Sequence, residues 1–170
     1  MEEKFLCVMV GYDEETEMKL SDIQKELYLL GYSGTHTKNL PQHITLGTYD
    51  LQQKDELVLL IKSVAERTTS FNITFNHVGI FSGSKVLFIA PDSSKELLDL
   101  KENFGDSFGW TPHTTMLIDE PNIIYEALPI VAEKFKAFKG KVNTIHLYEF
   151  WPTRHIFSIS LVNGDNLNVR

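Results

Sequence analysis

The sequence is poor in cysteine, in long hydrophobic runs and in basic side chains, and each shortage narrows the class of protein. Cys7 is the only cysteine, so no disulfide can form within the chain, which fits a reducing cytoplasm. No apolar run reaches the ~20 residues of a membrane-spanning helix, and residues 1–4 lack the basic start of a signal peptide. We therefore expect a soluble cytoplasmic protein that does not associate with membranes.

Basic side chains are outnumbered, with 16 Lys and Arg against 23 Asp and Glu and a formal net charge of −7. The chain lacks the broad positive field that attracts long nucleic acid, so long polynucleotides are poor candidate substrates. A small phosphate compound or a nucleic-acid end remains possible, because a local pocket can be positive on an acidic protein. Hydrophobic residues make up 42% of the chain, enough for one compact domain over residues 1–170, which we expect to be monomeric.

One four-residue pattern occurs twice, and it is the most informative feature of the chain. The pattern is histidine, any residue, threonine, apolar, and it covers residues 43–46 and 113–116. On a β-strand, side chains alternate between the two faces, so each His and its Thr would share one face. The pairs His43 with Thr45 and His113 with Thr115 are therefore predicted to form one shared active site.

The repeat extends beyond the two motifs. Residues 77–81 resemble residues 146–150, and residues 86–90 resemble residues 156–160, at a nearly constant offset. Such an offset indicates an internal duplication. It predicts an α+β fold of two lobes, with two mainly antiparallel sheets that face a central cleft and helices on the outside.

The pattern of apolar residues predicts a similar order of elements in each half of the chain. Strands are expected at residues 5–10, 42–49, 71–81, 85–90, 111–118, 141–150 and 155–162. Helices are expected at residues 14–30, 53–67, 93–103 and 122–137. The third helix should be capped by Asp92 and Ser93, and the fourth should be broken or bent near Pro129.

Two histidines that flank one phosphate suit displacement at phosphorus. One imidazole would deprotonate the attacking oxygen and the other would protonate the leaving oxygen, since an imidazole pKa near ~6.5 leaves both forms available. Thr45 and Thr115 would donate hydrogen bonds to the non-bridging oxygens. Metal binding is the main alternative, but His43 and His113 have no carboxylate within two residues and the chain has no His-Glu-x-x-His pattern. We expect no metal and no cofactor.

Structural roles are the alternative for every residue singled out. A lone strand histidine is usually structural, and Thr45 and Thr115 could be simple β-formers, but their matched positions favour function. His77 and His146 have no motif threonine, which favours structural or surface roles. His36 and His155 are assigned to loops, and Cys7 to the core as an inert thiol. Three further aromatic residues could stack on a base but more often pack in a core or at its rim: Trp110, Tyr148 and Trp151.

The paired motifs resemble those of the two-histidine phosphoesterases, the superfamily of LigT-like or 2′-5′ RNA ligase-like proteins, and the Gly79-x-Phe81 strand fits the same family. The resemblance implies a bilobal fold with a central cleft and a metal-independent 2′,3′-cyclic phosphodiesterase that forms 2′-phosphomonoesters, sometimes with 2′-5′ RNA ligation. It assigns His43 and His113 as the acid/base pair and Thr45 and Thr115 as phosphate ligands. Phe81 would line the pocket.

One departure from the family concerns arginine. Many LigT-like proteins carry an arginine close to the second motif, but residues 105–112 contain none, and none directly follows either motif. This disfavours RNA ends and ligation in particular and leaves a small cyclic phosphate or a diverged substrate more open. Ligation and a non-catalytic nucleotide-binding module remain the two alternatives.

Overall fold

The computed structural model describes residues 3–35, 37–83 and 85–164. The loop assignment of His36 lies outside these residues. The loop assignment of His155 was wrong, because His155 lies in the last strand and pairs there with Tyr148. A short 3-10 turn, Leu51–Gln53, precedes the second helix. The helices and strands follow the predicted order: β1 (Phe5–Tyr12), α1 (Glu14–Leu29), β2 (Ile44–Tyr49), α2 (Lys54–Arg67), β3 (Phe71–Ile80), β4 (Val86–Pro91), α3 (Lys95–Glu102), β5 (Thr114–Ile118), α4 (Pro121–Lys134), β6 (Phe138–Phe150) and β7 (Arg154–Ser160).

The start of α3 differs from the prediction. Ser94, not Asp92 or Ser93, is the N-cap, because its extended backbone lets its hydroxyl accept a hydrogen bond from the Leu97 amide at 3.2 Å. The predicted cap was therefore wrong by one to two residues.

The boundary between α4 and β6 also differs. The helix runs from Pro121 to Lys134 and continues through Pro129, so of the predicted break or bend there, the break is absent. Pro129 is exposed, and the carbonyl of Tyr125 that loses its hydrogen-bond partner lies on the same exposed face, where water can replace it. β6 begins already at Phe138, three residues before the predicted strand.

All named strand pairs are antiparallel and form one seven-stranded sheet, in the order β2-β1-β6-β3-β4-β5, with β7 beside β6. One edge of β6 pairs with β1, and the other edge pairs first with β3, over residues 138–142, and then with β7, over residues 144–149. The α+β class and antiparallel pairing are confirmed. The strands form one continuous sheet instead of the two sheets predicted, because the long strand β6 pairs with strands of both halves.

Alternation along β1 separates the two faces of the sheet. Leu6, Val8 and Val10 are fully buried in the main core together with apolar residues of all four helices. Cys7 and Met9 point to the opposite face, where they form a small second cluster with aromatic residues. The helices therefore cover one face and leave the other for the cleft. No helix in the described ranges is both long enough and apolar enough to cross a bilayer.

Candidate active site

His43 and His113 have the same backbone setting. Each is half-buried and lies directly before its strand, β2 or β5. The Nδ1 atom of His43 is 2.7 Å from the carbonyl oxygen of Pro41, and that of His113 is 2.8 Å from the carbonyl oxygen of Thr111. Because a carbonyl oxygen can only accept, Nδ1 donates in both rings, and in the neutral ring Nε2 keeps the lone pair. The two rings therefore present chemically equivalent nitrogens.

Burial lowers the pKa of both motif histidines below the ordinary value. For His43, burial is the largest cause, the hydrogen bond to Pro41 opposes it, and the positive charge of His113 lowers the pKa further. For His113, burial lowers the pKa and the bond to Thr111 opposes it. A positive charge on one ring therefore disfavours a positive charge on the other.

The two motif threonines line one cavity of about 540 Å³ together with His43, whereas His113 is not among the described residues of its wall. Thr45 lies on β2, where its Oγ1 is 3.8 Å from the Cys7 sulfur. Thr115 lies on β5, and its hydroxyl makes no hydrogen bond within the described residues. Burial raises the pKa of Cys7 to about 11, so this thiol is protonated and inert near neutral pH, as predicted.

Two phenylalanine rings pack against His113, one directly after β3 and one on β4. The Phe81 ring meets the His113 ring edge-on, with centroids 4.7 Å apart, and the Phe88 centroid lies 5.3 Å from that of His113. Gly79 pairs with Phe88 across β3 and β4, and a Cβ on Gly79 would lie 2.5 Å from the Phe88 ring. A residue without a Cβ is therefore required at position 79 for the Phe88 ring to lie across β3. Phe81 contacts His113 and does not contribute to the described wall of the 540 Å³ cavity.

Two hydrogen-bonded glutamine side chains join the two motifs through α1. The Gln42 side-chain amide donates to Gln24 Oε1 at 2.8 Å, and the Gln24 amide donates to the Met116 carbonyl at 3.1 Å. The backbone amide of Gln42 donates to the Glu17 carboxylate at 2.9 Å. Gln42 precedes His43, so α1 connects the first motif to β5. Nothing in the sequence pattern indicated this network, because single glutamines carry no periodic signal.

A second connection runs through Trp110. Its indole nitrogen donates to the Thr45 carbonyl oxygen at 3.2 Å, so the loop before the second motif is tied to the strand of the first. The sequence had grouped Trp110 with aromatics that pack in a core or at its rim. The contact fixes the two motifs relative to each other.

His146 lies on the cleft face, which sequence reasoning did not indicate. In register across the sheet, Thr45 pairs with Met9, Met9 with His146, and His146 with Ser158. Directly paired residues share a face. The pKa of His146 is lowered to about 4. Burial is the largest cause, and the positive charges of His43 and His155 lower the pKa further. The alternation of side chains between the two faces of β6 was the sequence signal that could have placed His146 on the cleft face.

His77, the counterpart of His146 in the repeat, is exposed and lies 2.8 Å from Asp92 in an ion-pair geometry. This position agrees with the surface role predicted for it.

Within residues 3–35, 37–83 and 85–164, no cluster of three or more His, Cys, Asp or Glu side chains is arranged to hold a metal ion.

Comparison with solved structures identifies the fold. The crystal structure of E. coli LigT complexed with 3′-AMP matches with a TM-score of 0.62 at 17% identity, over 95% of this chain and 100% of that chain. LigT complexed with ATP gives 0.61 at 16% identity, over 96% and 100%. TT0787 of Thermus thermophilus gives 0.66 at 15% identity, over 94% and 99%. The chain therefore has the LigT-like fold.

Comparison of sequences gives the family. No curated protein matches the chain. The family model of the 2′-5′ RNA ligase superfamily matches residues 17–150, which include both histidine motifs and most of the sheet. On this match and on its fold, the chain belongs to the 2′-5′ RNA ligase superfamily of two-histidine phosphoesterases.

Proposed function

We propose that this protein is a metal-independent cyclic phosphodiesterase that hydrolyses 2′,3′-cyclic phosphates to 2′-phosphomonoesters, acting as a monomer in the cytoplasm. The observation that carries the proposal is the matched setting of His43 and His113. Each ring is oriented by a carbonyl two residues earlier, and each is left with Nε2 for proton transfer. A binding module has no need for two such nitrogens.

Charge distribution favours one assignment of the acid and the base. The two positive charges repel each other equally, so a site that holds one proton keeps it on the ring where burial disfavours the charge less. That ring is His113, because its hydrogen bond to Thr111 is exposed, whereas the bond of His43 to Pro41 is partly buried. His43 is then neutral and can accept a proton, while His113 is charged and can donate one. We infer that His43 is the general base and His113 the general acid in hydrolysis.

In the proposed step, Nε2 of His43 removes a proton from water as the water oxygen attacks phosphorus. The bond between phosphorus and the ribose 3′-oxygen breaks in line with the attack, and Nε2 of His113 gives its proton to that oxygen. The product is a 2′-phosphomonoester with a free 3′-hydroxyl. The hydroxyls of Thr45 and Thr115 would hold the non-bridging oxygens as charge develops on them. Proton exchange with solvent restores both rings.

The family and the fold support a nucleotide substrate. E. coli LigT has been crystallised with 3′-AMP, with ATP and with NADP+, so a protein of this fold accommodates small nucleotides. The net charge of −7 makes a small cyclic phosphate the better candidate than a long RNA chain.

Replacement of the two histidines tests the proposal. Hydrolysis of a panel of nucleoside 2′,3′-cyclic phosphates should fall at least about a hundredfold in kcat for His43→Ala and for His113→Ala, since each change removes a proton-transfer group. His77→Ala is the matched control, because His77 is an exposed histidine whose ring is hydrogen-bonded to Asp92, and its loss should leave kcat unchanged. Full activity in a folded His113→Ala variant would contradict the mechanism. Stoichiometric binding without turnover in the wild type would indicate a sensor.

A further inference from the structure

The 540 Å³ cavity extends from the motif residues to the turn after β6, well beyond the space that a phosphate group needs. His43, Thr45 and Thr115 line this cavity, and so does Trp151. The volume falls within the range of small-molecule sites, ~300–1,000 Å³, and suits a compound of mononucleotide size. The part of the substrate beyond its phosphate should therefore occupy this space.

Aromatic rings form one wall of the cavity. Phe5 and Phe150 are stacked, with centroids 5.4 Å apart and planes inclined by 10°. Trp151 meets Phe150 edge-on at 5.0 Å. Phe150 is 7% exposed, whereas Trp151 is 37% exposed. The two phenyl rings thus support an indole that still offers apolar surface to a planar ligand.

Hydrogen-bonding groups on the rest of the wall are uncharged. They include the amides of Gln24 and Gln42, which bond to each other at 2.8 Å, and the hydroxyls of Thr35 and Thr37. Within the described residues, no Asp, Glu, Lys or Arg lines the cavity. A nucleobase carries neutral donors and acceptors on its edge and an aromatic face, which matches this wall.

The same wall disfavours additional phosphate groups. A 2′,3′-cyclic phosphate carries one negative charge, which the motif residues can hold. A further phosphate in the cavity would be a desolvated anion without a cation beside it, which is costly. An RNA 3′ end and a 5′-phosphorylated nucleotide both carry such a group.

We propose that the cavity is a nucleobase site, with Trp151 as the stacking residue, which selects mononucleoside 2′,3′-cyclic phosphates without a 5′-phosphate. This inference rests on the proposed hydrolysis and names its substrate class.

Three substrates test it on the wild-type protein: adenosine 2′,3′-cyclic phosphate, the same compound with a 5′-phosphate, and glycerol 1,2-cyclic phosphate, which has no base. We expect kcat/KM to be at least about tenfold higher for the first than for either of the others, the scale of one stacked base. Equal values for compounds with and without a base, or a preference for the 5′-phosphate, would overturn the proposal while leaving hydrolysis intact.

The Trp151→Ala variant tests whether Trp151 is the residue on which the base stacks. Trp151→Ala should lower kcat/KM about tenfold for the adenosine compound and leave the value for the glycerol compound unchanged. Tyr125→Ala is the matched control, because Tyr125 is an aromatic residue of α4 that is 65% exposed and lies outside the cavity wall. An equal loss on both substrates would overturn the role of Trp151. The substrate comparison needs no variant, so it decides the question even if Trp151→Ala does not fold.

If the wild type turns over none of the three compounds, the proposed hydrolysis fails, and binding tests the cavity by itself. Calorimetry with adenosine on the wild type and on Trp151→Ala should then show at least about tenfold weaker binding for the variant. Equal binding, or no binding to either protein, would overturn the nucleobase site.

Discussion

The Nδ1 hydrogen bond of each motif histidine decides what its ring can do. Because the Pro41 and Thr111 carbonyls hold the two Nδ1 protons, both rings present Nε2, the atom suited to proton transfer. The motif spacing predicted one site for four residues, of which His43, Thr45 and Thr115 line one cavity. It could not predict this tautomer, nor that His146 lies on the same face as Thr45, because both depend on neighbours distant in sequence.

The pKa shifts predict the pH dependence of hydrolysis. The rate should rise as pH passes the pKa of His43, which must be neutral, and fall as pH passes the pKa of His113, which must be protonated. Both values are lowered from 6.5, so the maximum of kcat/KM should lie below pH 6.5. A cyclic phosphodiester does not titrate in this range, so the profile reports the protein. A maximum above neutral pH would contradict proton transfer by these two histidines.

At the scale of elements, the sequence predicted every described strand and helix but missed some boundaries. β6 starts at Phe138 because that residue pairs with Phe75 of β3 and stacks on it at 5.0 Å. Such a long-range contact leaves no local pattern in the sequence. For the same reason, nothing predicted that one strand would join both halves of the sheet.

The crossing of β3 by the Phe88 ring gives a prediction for Gly79. In Gly79→Ala the new Cβ would lie 2.5 Å from that ring, which also contacts His113, so the ring must move. Overpacking of this kind costs ~1–3 kcal/mol in the free energy of unfolding, and we expect kcat to fall with it. Urea denaturation and steady-state kinetics measure the two effects.

The control for this prediction is the double variant Gly79→Ala/Phe88→Leu, in which the smaller side chain makes room for the Cβ. It should recover part of the lost stability relative to Gly79→Ala. Wild-type stability and activity in Gly79→Ala alone would show that the glycine is not required for the packing of His113.

At the scale of the whole molecule, an acidic protein carries a cleft whose described wall is uncharged apart from its histidine. Family membership and fold agree with the repeat of the motif in the sequence. The duplication of a two-lobed unit stays a prediction, supported by the equivalent hydrogen bonds of His43 and His113. Composition alone could not have located the cavity, because its wall combines residues from both halves of the chain.

Phosphorus NMR of the reaction product tests the central claim most directly. The purified protein, with EDTA present, is incubated with nucleoside 2′,3′-cyclic phosphates beside the His43→Ala variant. The account predicts that the wild type alone forms the 2′-monophosphate, because the 3′-oxygen leaves in line with the attacking water. A 3′-monophosphate product, activity that EDTA abolishes, or equal turnover by His43→Ala would contradict it.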